Sequence, residues 1–230
     1  MTNVDSCIGG GYNASMRKKL QAAIMSTPDL PSGFTECEYL ESTGTQHIEL
    51  TDLKLSNKHS VTCAYTPLGY QWVNFYYGAQ DFMNDGNNSF CASYNYNNSW
   101  GQLCHIAIAN KFSSISGPHC ILGKKYTSYA DSSCFTVTDV GSITFKDIPE
   151  FTVQRSTWLF KVWASNNSTS TCGPVRIHSF IVKESGITIY DLIPALDASG
   201  KPCMFDSISR QCFYNKTKSG EDFKYKIKSD

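Results

Sequence analysis

Glu36 and Glu38 stand at i and i+2 in a segment of strand character, so both carboxyl groups leave one face with about 7 Å between their backbones. Retaining glycoside hydrolysis needs two carboxyl groups about 5 to 5.5 Å apart. No other strand offers a second acid that converges on them, since Asp139, Asp147 and Glu150 stand near turns. The five histidines are scattered, and no nucleophile-elbow pattern accompanies them. These residues predict a chain that is not an enzyme.

Metal chemistry finds little better support. The ten cysteines (Cys7, Cys37, Cys63, Cys91, Cys104, Cys120, Cys134, Cys172, Cys203 and Cys212) include no C-x-x-C pair, whereas zinc sites use clustered ligands. Cys104-His105 and His119-Cys120 come nearest, but neighbours on a strand point to opposite faces. Residues Asp81 to Asn88 have part of the spacing of a calcium loop. Met83 stands where an oxygen ligand is needed and Ala92 where the bidentate glutamate should be, so the segment reads as a turn at Asn84-Asp85-Gly86. Neither metal nor cofactor is expected. Cys203 and Cys212 are a different matter: a hairpin turning between Ser207 and Ile208 sets them directly opposite, near enough for a contact or a cross-strand disulfide. Reduced buried thiols are the simpler expectation for a protein assembled in a cytoplasm.

Three aromatic and asparagine-rich stretches suit ligand contact: YQWVNFYY (Tyr70 to Tyr77), YNYNNSW (Tyr94 to Trp100) and WASNNSTST (Trp163 to Thr171). Aromatic faces stack on sugar rings while amides and hydroxyls bond their hydroxyl groups, and the same side chains make adaptable protein contacts. The first stretch reads mainly as a core strand. The candidate contact residues are therefore Tyr94, Asn95, Tyr96, Asn97, Trp100, Asn166 and Asn167.

The elements that must position these residues are strands. In 230 residues only one segment has helical periodicity, and 13 Tyr and 13 Phe accompany regular turn signals, which predicts one all-β domain, an antiparallel sandwich. In LPSGFTECEYLESTGTQHIEL (Leu30 to Leu50), apolar and polar residues alternate around Tyr39, Leu40, Ile48 and Leu50. Ser42-Thr43-Gly44 interrupts them, predicting a hairpin. In IYDLIPALDASGKPCMFDSISRQCFYN (Ile189 to Asn215), a strand runs to Pro194 and Asp197 to Gly200 make a turn. A last hairpin then folds around Ser207-Ile208-Ser209. Lys224, Lys226 and Lys228 alternate with Phe223, Tyr225 and Ile227, a strand with one apolar face whose lysines guard an exposed edge.

The two long stretches together resemble a recurrent module of phage structural proteins and gut-bacterial surface proteins, similar to the laminin-G-like, concanavalin A-like jelly roll. The resemblance rests on the Leu-Pro-x-Gly-Phe-Thr-x-x-Glu-Tyr-Leu-Glu-Ser-Thr-Gly-Thr-Gln pattern from Leu30, the Tyr-Asp-Leu-Ile-Pro pattern from Tyr190 and the Phe-Asp-x-Ile pattern from Phe205. Between them only strand character matches, in ITFKDIPEF (Ile143 to Phe151), STWLFKVWASNN (Ser156 to Asn167) and VRIHSFIVKESG (Val175 to Gly186). The resemblance covers residues 30 to about 216 and implies a jelly roll over 30–230 with no catalytic residue to carry over.

Residues 1–29 fall outside it. Met16, Leu20, Ala23 and Ile24 follow helical spacing, giving a short helix that either folds back on the domain or anchors it to other virion subunits. Twenty basic residues balance 20 acidic ones, so no nucleic-acid partner is expected. No apolar run reaches membrane-span length and no secretory signal is present, so no membrane insertion is expected. The expected function is a non-enzymatic bacteriophage virion protein: a head fibre, capsid decoration or tail-associated adhesin, assembled in the host cytoplasm. It would meet host-surface or mucosal glycans or neighbouring subunits, and fibres of this kind are often homo-oligomers. The alternatives are a carbohydrate-binding module on a gut-bacterial cell surface and a glycoside hydrolase of concanavalin A-like fold.

Overall fold

The computed structural model describes residues 30–69, 74–80, 88–98, 101–115, 120–161, 173–217 and 220–229. The expected helix, with Met16, Leu20, Ala23 and Ile24, falls in residues 1–29 and lies outside the described residues. In chain order the strands are β1 (Thr35–Ser42), β2 (Ile48–Leu50), β3 (His59–Pro67), β4 (Asn74–Gln80), β5 (Ser89–Asn98), β6 (Gly101–Ile108), β7 (Lys111–Ile115) and β8 (Tyr126–Ala130). They continue with β9 (Cys134–Val137), β10 (Gly141–Thr144), β11 (Thr157–Leu159), β12 (Val175–Glu184), β13 (Ile187–Leu196), β14 (Pro202–Asp206), β15 (Cys212–Tyr214) and β16 (Lys224–Ile227). The described residues are thus all-β, as expected.

These strands make two antiparallel sheets. One has ten strands in the order β10-β9-β8-β3-β12-β1-β13-β14-β15 with β16 beside β1; the other has six, β2-β11-β4-β5-β6-β7. They pack face to face. Tyr65 of the first stacks on Tyr76 of the second with ring centroids 4.1 Å apart, and Phe180 meets Tyr77 edge-on at 5.4 Å. Around these rings Leu40, Val61, Phe90, Ile106, Phe135 and Ile177 complete one buried core.

Alternation decides which side chains enter that core. In β3, His59, Val61, Cys63 and Tyr65 are buried at every second position. In β12 the buried residues are Val175 and Ile177, then Phe180 and Val182, a step of three where a β-bulge separates Ile177 from Ser179. A matching bulge lies between Cys37 and Tyr39 of β1.

The two bulges mark a fork. Along one edge of β12, Val175, Arg176 and Ile177 pair with Ser42, Glu41 and Leu40 of β1, and from Phe180 onward the partner is β13, starting at Leu192. The remaining halves of β1 and β13 leave β12 together and pair with each other, Thr35 with Leu196 and Glu36 with Ala195. Where the strands diverge, His178 fills the gap in the ladder. Its Nδ1 donates to the Glu38 carbonyl at 2.9 Å, which leaves Nε2 to accept from the Thr66 hydroxyl at 2.8 Å.

The expected hairpin between the strands at Tyr39 and Ile48 is not formed. β1 belongs to the ten-stranded sheet, whereas β2 crosses to the six-stranded sheet and pairs with β11. The buried Gln46 organises this crossing: its Oε1 accepts from Thr43 N–H at 2.9 Å and its Nε2 donates to the Glu221 carbonyl at 3.1 Å. The turn at Asp197 to Gly200 forms as expected, and the last hairpin forms around Ser207-Ile208-Ser209 in another register. Asp197 accepts from Ser199 N–H at 2.8 Å, Lys201 N–H at 3.0 Å and the Tyr214 hydroxyl at 2.8 Å. The buried Asp206 accepts from Asp191 N–H at 2.9 Å and the Ser209 hydroxyl at 2.6 Å. The acidic residues of that motif are turn builders.

Two outcomes follow from this geometry. Gly78 has φ of 142° and lies against Cys91, whose Cβ a methyl group at Gly78 would meet at 2.2 Å. Gly78→Ala is expected to cost about 2 kcal/mol or more and to lower the melting temperature by several degrees, read by thermal unfolding. Burial, aided by the charge of Lys125, holds the pKa of His178 down to about 4, and burial does the same for His105. The unfolded chain therefore binds these protons first: stability is complete above about pH 6.5 and is lost as the pH falls toward about 4. Melting temperatures across that range should show the loss. His178→Gln should make it shallower, at a cost of about 1 kcal/mol for one hydrogen bond.

Candidate functional site

One end of the double sheet gathers most of the residues with chemical potential. β3 finishes there, and β12 begins beside it, with Val175 opposite Pro67. Asn74 at the start of β4 pairs with Tyr94 of β5, and Cys104 of β6 pairs with Ile115 at the end of β7. The carbonyl of Pro174 ties these ends together, accepting from Leu68 N–H at 3.0 Å and from the Tyr94 hydroxyl at 2.7 Å.

Beneath this end lies a floor of tyrosines. Tyr65 is at its centre, stacked on Tyr76 at 4.1 Å, with Tyr94 at 5.9 Å and Tyr126 at 6.0 Å. Each comes from a different strand, respectively β3, β4, β5 and β8. Burial raises the pKa of Tyr65, Tyr76 and Tyr94 well above the usual phenol value, so these rings stay neutral. The Tyr126 hydroxyl accepts from Ile121 N–H at 2.8 Å, and the Lys124 ammonium sits 5.3 Å from the Tyr126 ring.

Two thiols close the floor. Cys120 Sγ lies 3.4 Å from the Tyr65 hydroxyl and 3.2 Å from Cys104 Sγ. Hydrogen bonding with Cys104 and then with Tyr65, together with the charge of Lys124, brings the Cys120 thiol below its ordinary pKa against the pull of burial. Other buried thiols behave oppositely: burial pushes Cys91 up to about 12 and Cys37 up to about 11.

The expected contact residues are only partly gathered here. Tyr94 is corrected: its ring is fully buried in the tyrosine floor and its hydroxyl is spent on Pro174, so it offers no face to a ligand. Asn95, Tyr96 and Asn97 extend β5, with Tyr96 opposite Leu103 and Asn97 opposite Gln102, and their side chains lie outside the described residues. Trp100, Asn166 and Asn167 lie outside them too, as does the turn expected at Asn84-Asp85-Gly86. Cys203 and Cys212 are corrected in register. Cys203 pairs with Tyr214 and Cys212 with Phe205, because the turn is held open from Asp206 to Gln211. The two thiols are diagonal neighbours in hydrogen-bond contact, and both are free. Among the described residues no group of three metal-binding side chains converges.

The carboxylates Glu36 and Glu38 face Lys226 of β16 and Lys228 just beyond it. Lys228 meets Glu36 and Lys226 meets Glu38, each at 2.6 Å. The Lys226 hydrogen bond holds the Glu38 carboxyl below its ordinary value. Beside them Arg176 bonds Glu41 at 2.7 Å and lies over the Tyr39 ring at 4.3 Å. Lys226 and Lys228 thus make ion pairs with β1 as well as lining an edge. Sequence reasoning missed the thiol pair at Cys104 and Cys120 because it weighed each cysteine with its adjacent histidine, and only the β6–β7 hairpin brings the two sulfurs together.

No family model matches the chain, and no curated protein matches it. Solved structures do. The enzymatically active domain of bacteriophage CBA120 tailspike protein 2 is 17% identical over 57% of this chain and 24% of that one, with a TM-score of 0.38. Full-length tailspike protein 2 from Escherichia coli O157:H7 bacteriophage CAB120 is 13% identical over 71% of this chain and 27% of that one, with a TM-score of 0.41. The chain thus spans about a quarter of the length of each. The expectation that the chain is not an enzyme is not borne out: one of the two similar structures is an enzymatically active domain.

The floor yields a direct test. Tyr94→Phe keeps the ring and removes its bond to Pro174, leaving that carbonyl with the Leu68 donor alone. Stability should fall by about 1 kcal/mol. Urea unfolding should show a lower midpoint with an unchanged slope.

Proposed function

We propose that this chain is a bacteriophage virion protein, tail-associated, whose double sheet is a jelly-roll sandwich of the laminin-G-like kind that meets host-surface glycan. The observation that carries the reading is the meeting of strand ends at one end of the molecule. Gly69 and Asn74 flank residues 70–73, Lys161 and Gly173 flank residues 162–172, and Asn98 and Gly101 flank residues 99–100. Leu68 is tied to Pro174, and Phe160 N–H donates to the Tyr76 carbonyl at 2.9 Å on the way to Lys161. The described residues that border the three aromatic and asparagine-rich stretches thus lie beside the tyrosine floor, and side chains of those types suit stacking and amide contacts to sugars. The motif resemblance to phage structural proteins supports the virion setting. On this reading residues 1–29 dock the module to other virion subunits.

Two measurements test it. Antibody raised against residues 30–230 should label phage particles at the tail in immunogold electron microscopy; label confined to bacterial surfaces would overturn the virion setting. The purified full chain should be retained on host-surface polysaccharide, and release of reducing ends in the same mixture reads cleavage directly. Absence of both retention and cleavage would overturn the glycan reading.

A further inference from the structure

We infer that Cys104 and Cys120 form a dithiol that closes to a disulfide when the protein meets a small-molecule disulfide, locking the floor of the loop end. The Sγ atoms are already 3.2 Å apart and the two residues are 16 positions apart in the chain, so closure needs only a small approach and joins β6 to the segment that follows β7. The pair is set among fixed partners. Tyr65 holds Cys120 from the core side at 3.4 Å, and Cys104 is pinned in the β6–β7 ladder opposite Ile115.

The chemistry is a two-step exchange. Cys120 Sγ, as thiolate, attacks one sulfur of the small disulfide; the S–S bond breaks and the first small thiolate leaves, taking up a proton. Cys104 Sγ then loses its proton to solvent and attacks Cys120 Sγ, expelling the second small thiolate. Two protein thiols are oxidised and one small disulfide is reduced to two thiols. Cys120 is the attacking sulfur because its hydrogen bonds and Lys124 favour the thiolate, the form that reacts. The other thiol pair lacks this bias: burial and the neighbouring Cys212 push Cys203 strongly upward. Both sulfurs of the reacting pair are buried, so exchange proceeds through local opening around them. The inference stands on the thiol geometry and is independent of the glycan reading.

The test uses the full chain treated with oxidised glutathione, then alkylated and mapped by mass spectrometry without reduction. Trypsin cleaves after Lys111, so a Cys104–Cys120 bridge joins two otherwise separate peptides. That joined species, free of glutathione and reversed by dithiothreitol, is expected, together with a higher melting temperature for the oxidised protein. Cys104→Ser should stop the reaction at a glutathione adduct on Cys120, and Cys120→Ser should leave Cys104 unmodified. A bridge at Cys203–Cys212 in place of this one would overturn the inference. So would a stable glutathione adduct on Cys120 of the natural protein, or no change at all. Because the natural sequence supplies the main readout, failure of either variant to fold leaves the test intact.

Discussion

β12 cannot pair with β1 and β13 along its whole length, because both lie on the same edge; one must give way to the other, and they do so at His178. Each ladder ends in mid-strand, which would leave the Glu38 carbonyl without its strand partner. The imidazole supplies that partner, and its other nitrogen reaches Thr66 on β3, so one side chain spans β1, β12 and β3. Beyond the fork β13 pairs with β1 along the edge that left β12 and with β14 along its other edge, and Ile193, Ala195, Cys203 and Phe205 bury a second small cluster on that wing. Leu30 and Phe34 pack against it, with the Phe34 ring 5.5 Å from that of Phe205. The separation of the main core from this satellite cluster thus follows from a change of strand partner at a single position.

Much of this was legible in residue order. The turn at Asp197 to Gly200 and the existence of the last hairpin depend on local patterns, and local patterns were enough. Strand partnership was not. Tyr39 to Leu50 carries the alternation and turn residues of a hairpin, yet β2 is claimed by Trp158 and its neighbours in the other sheet, and no residue between the two strands announces it. The bulge in β12 left a trace, an apolar spacing of two, three and two from Val175 to Val182, but the role of His178 depends on β1 arriving alongside. At the candidate site, aromatic content marked Tyr94 as a contact residue, whereas its ring is buried. Its ring satisfies the core and its hydroxyl the Pro174 carbonyl, and sequence alone does not separate a ring that binds from one that supports.

The cysteines divide by neighbourhood. Cys63 and Cys91 are small apolar residues whose thiols burial keeps protonated. Cys120 has the same burial but a different circle of neighbours, with Cys104, Tyr65 and Lys124 all favouring its ionised form. Desolvation sets the common background, and three specific neighbours reverse it at one position.

β16 lies along β1 so that Lys228 N–H donates to the Glu36 carbonyl at 3.0 Å, close to where β1 begins. The first and last strands of the double sheet therefore run antiparallel with their outer ends side by side. Tension applied between residues 36 and 228 loads this ladder from its open end, so its hydrogen bonds and the ion pairs of Glu36 and Glu38 break in succession, as in unzipping. Force borne through the N-terminal side alone bypasses β16. Whether the molecule is tethered at one end or strung between two attachments thus decides whether pulling opens this seam or leaves it shut.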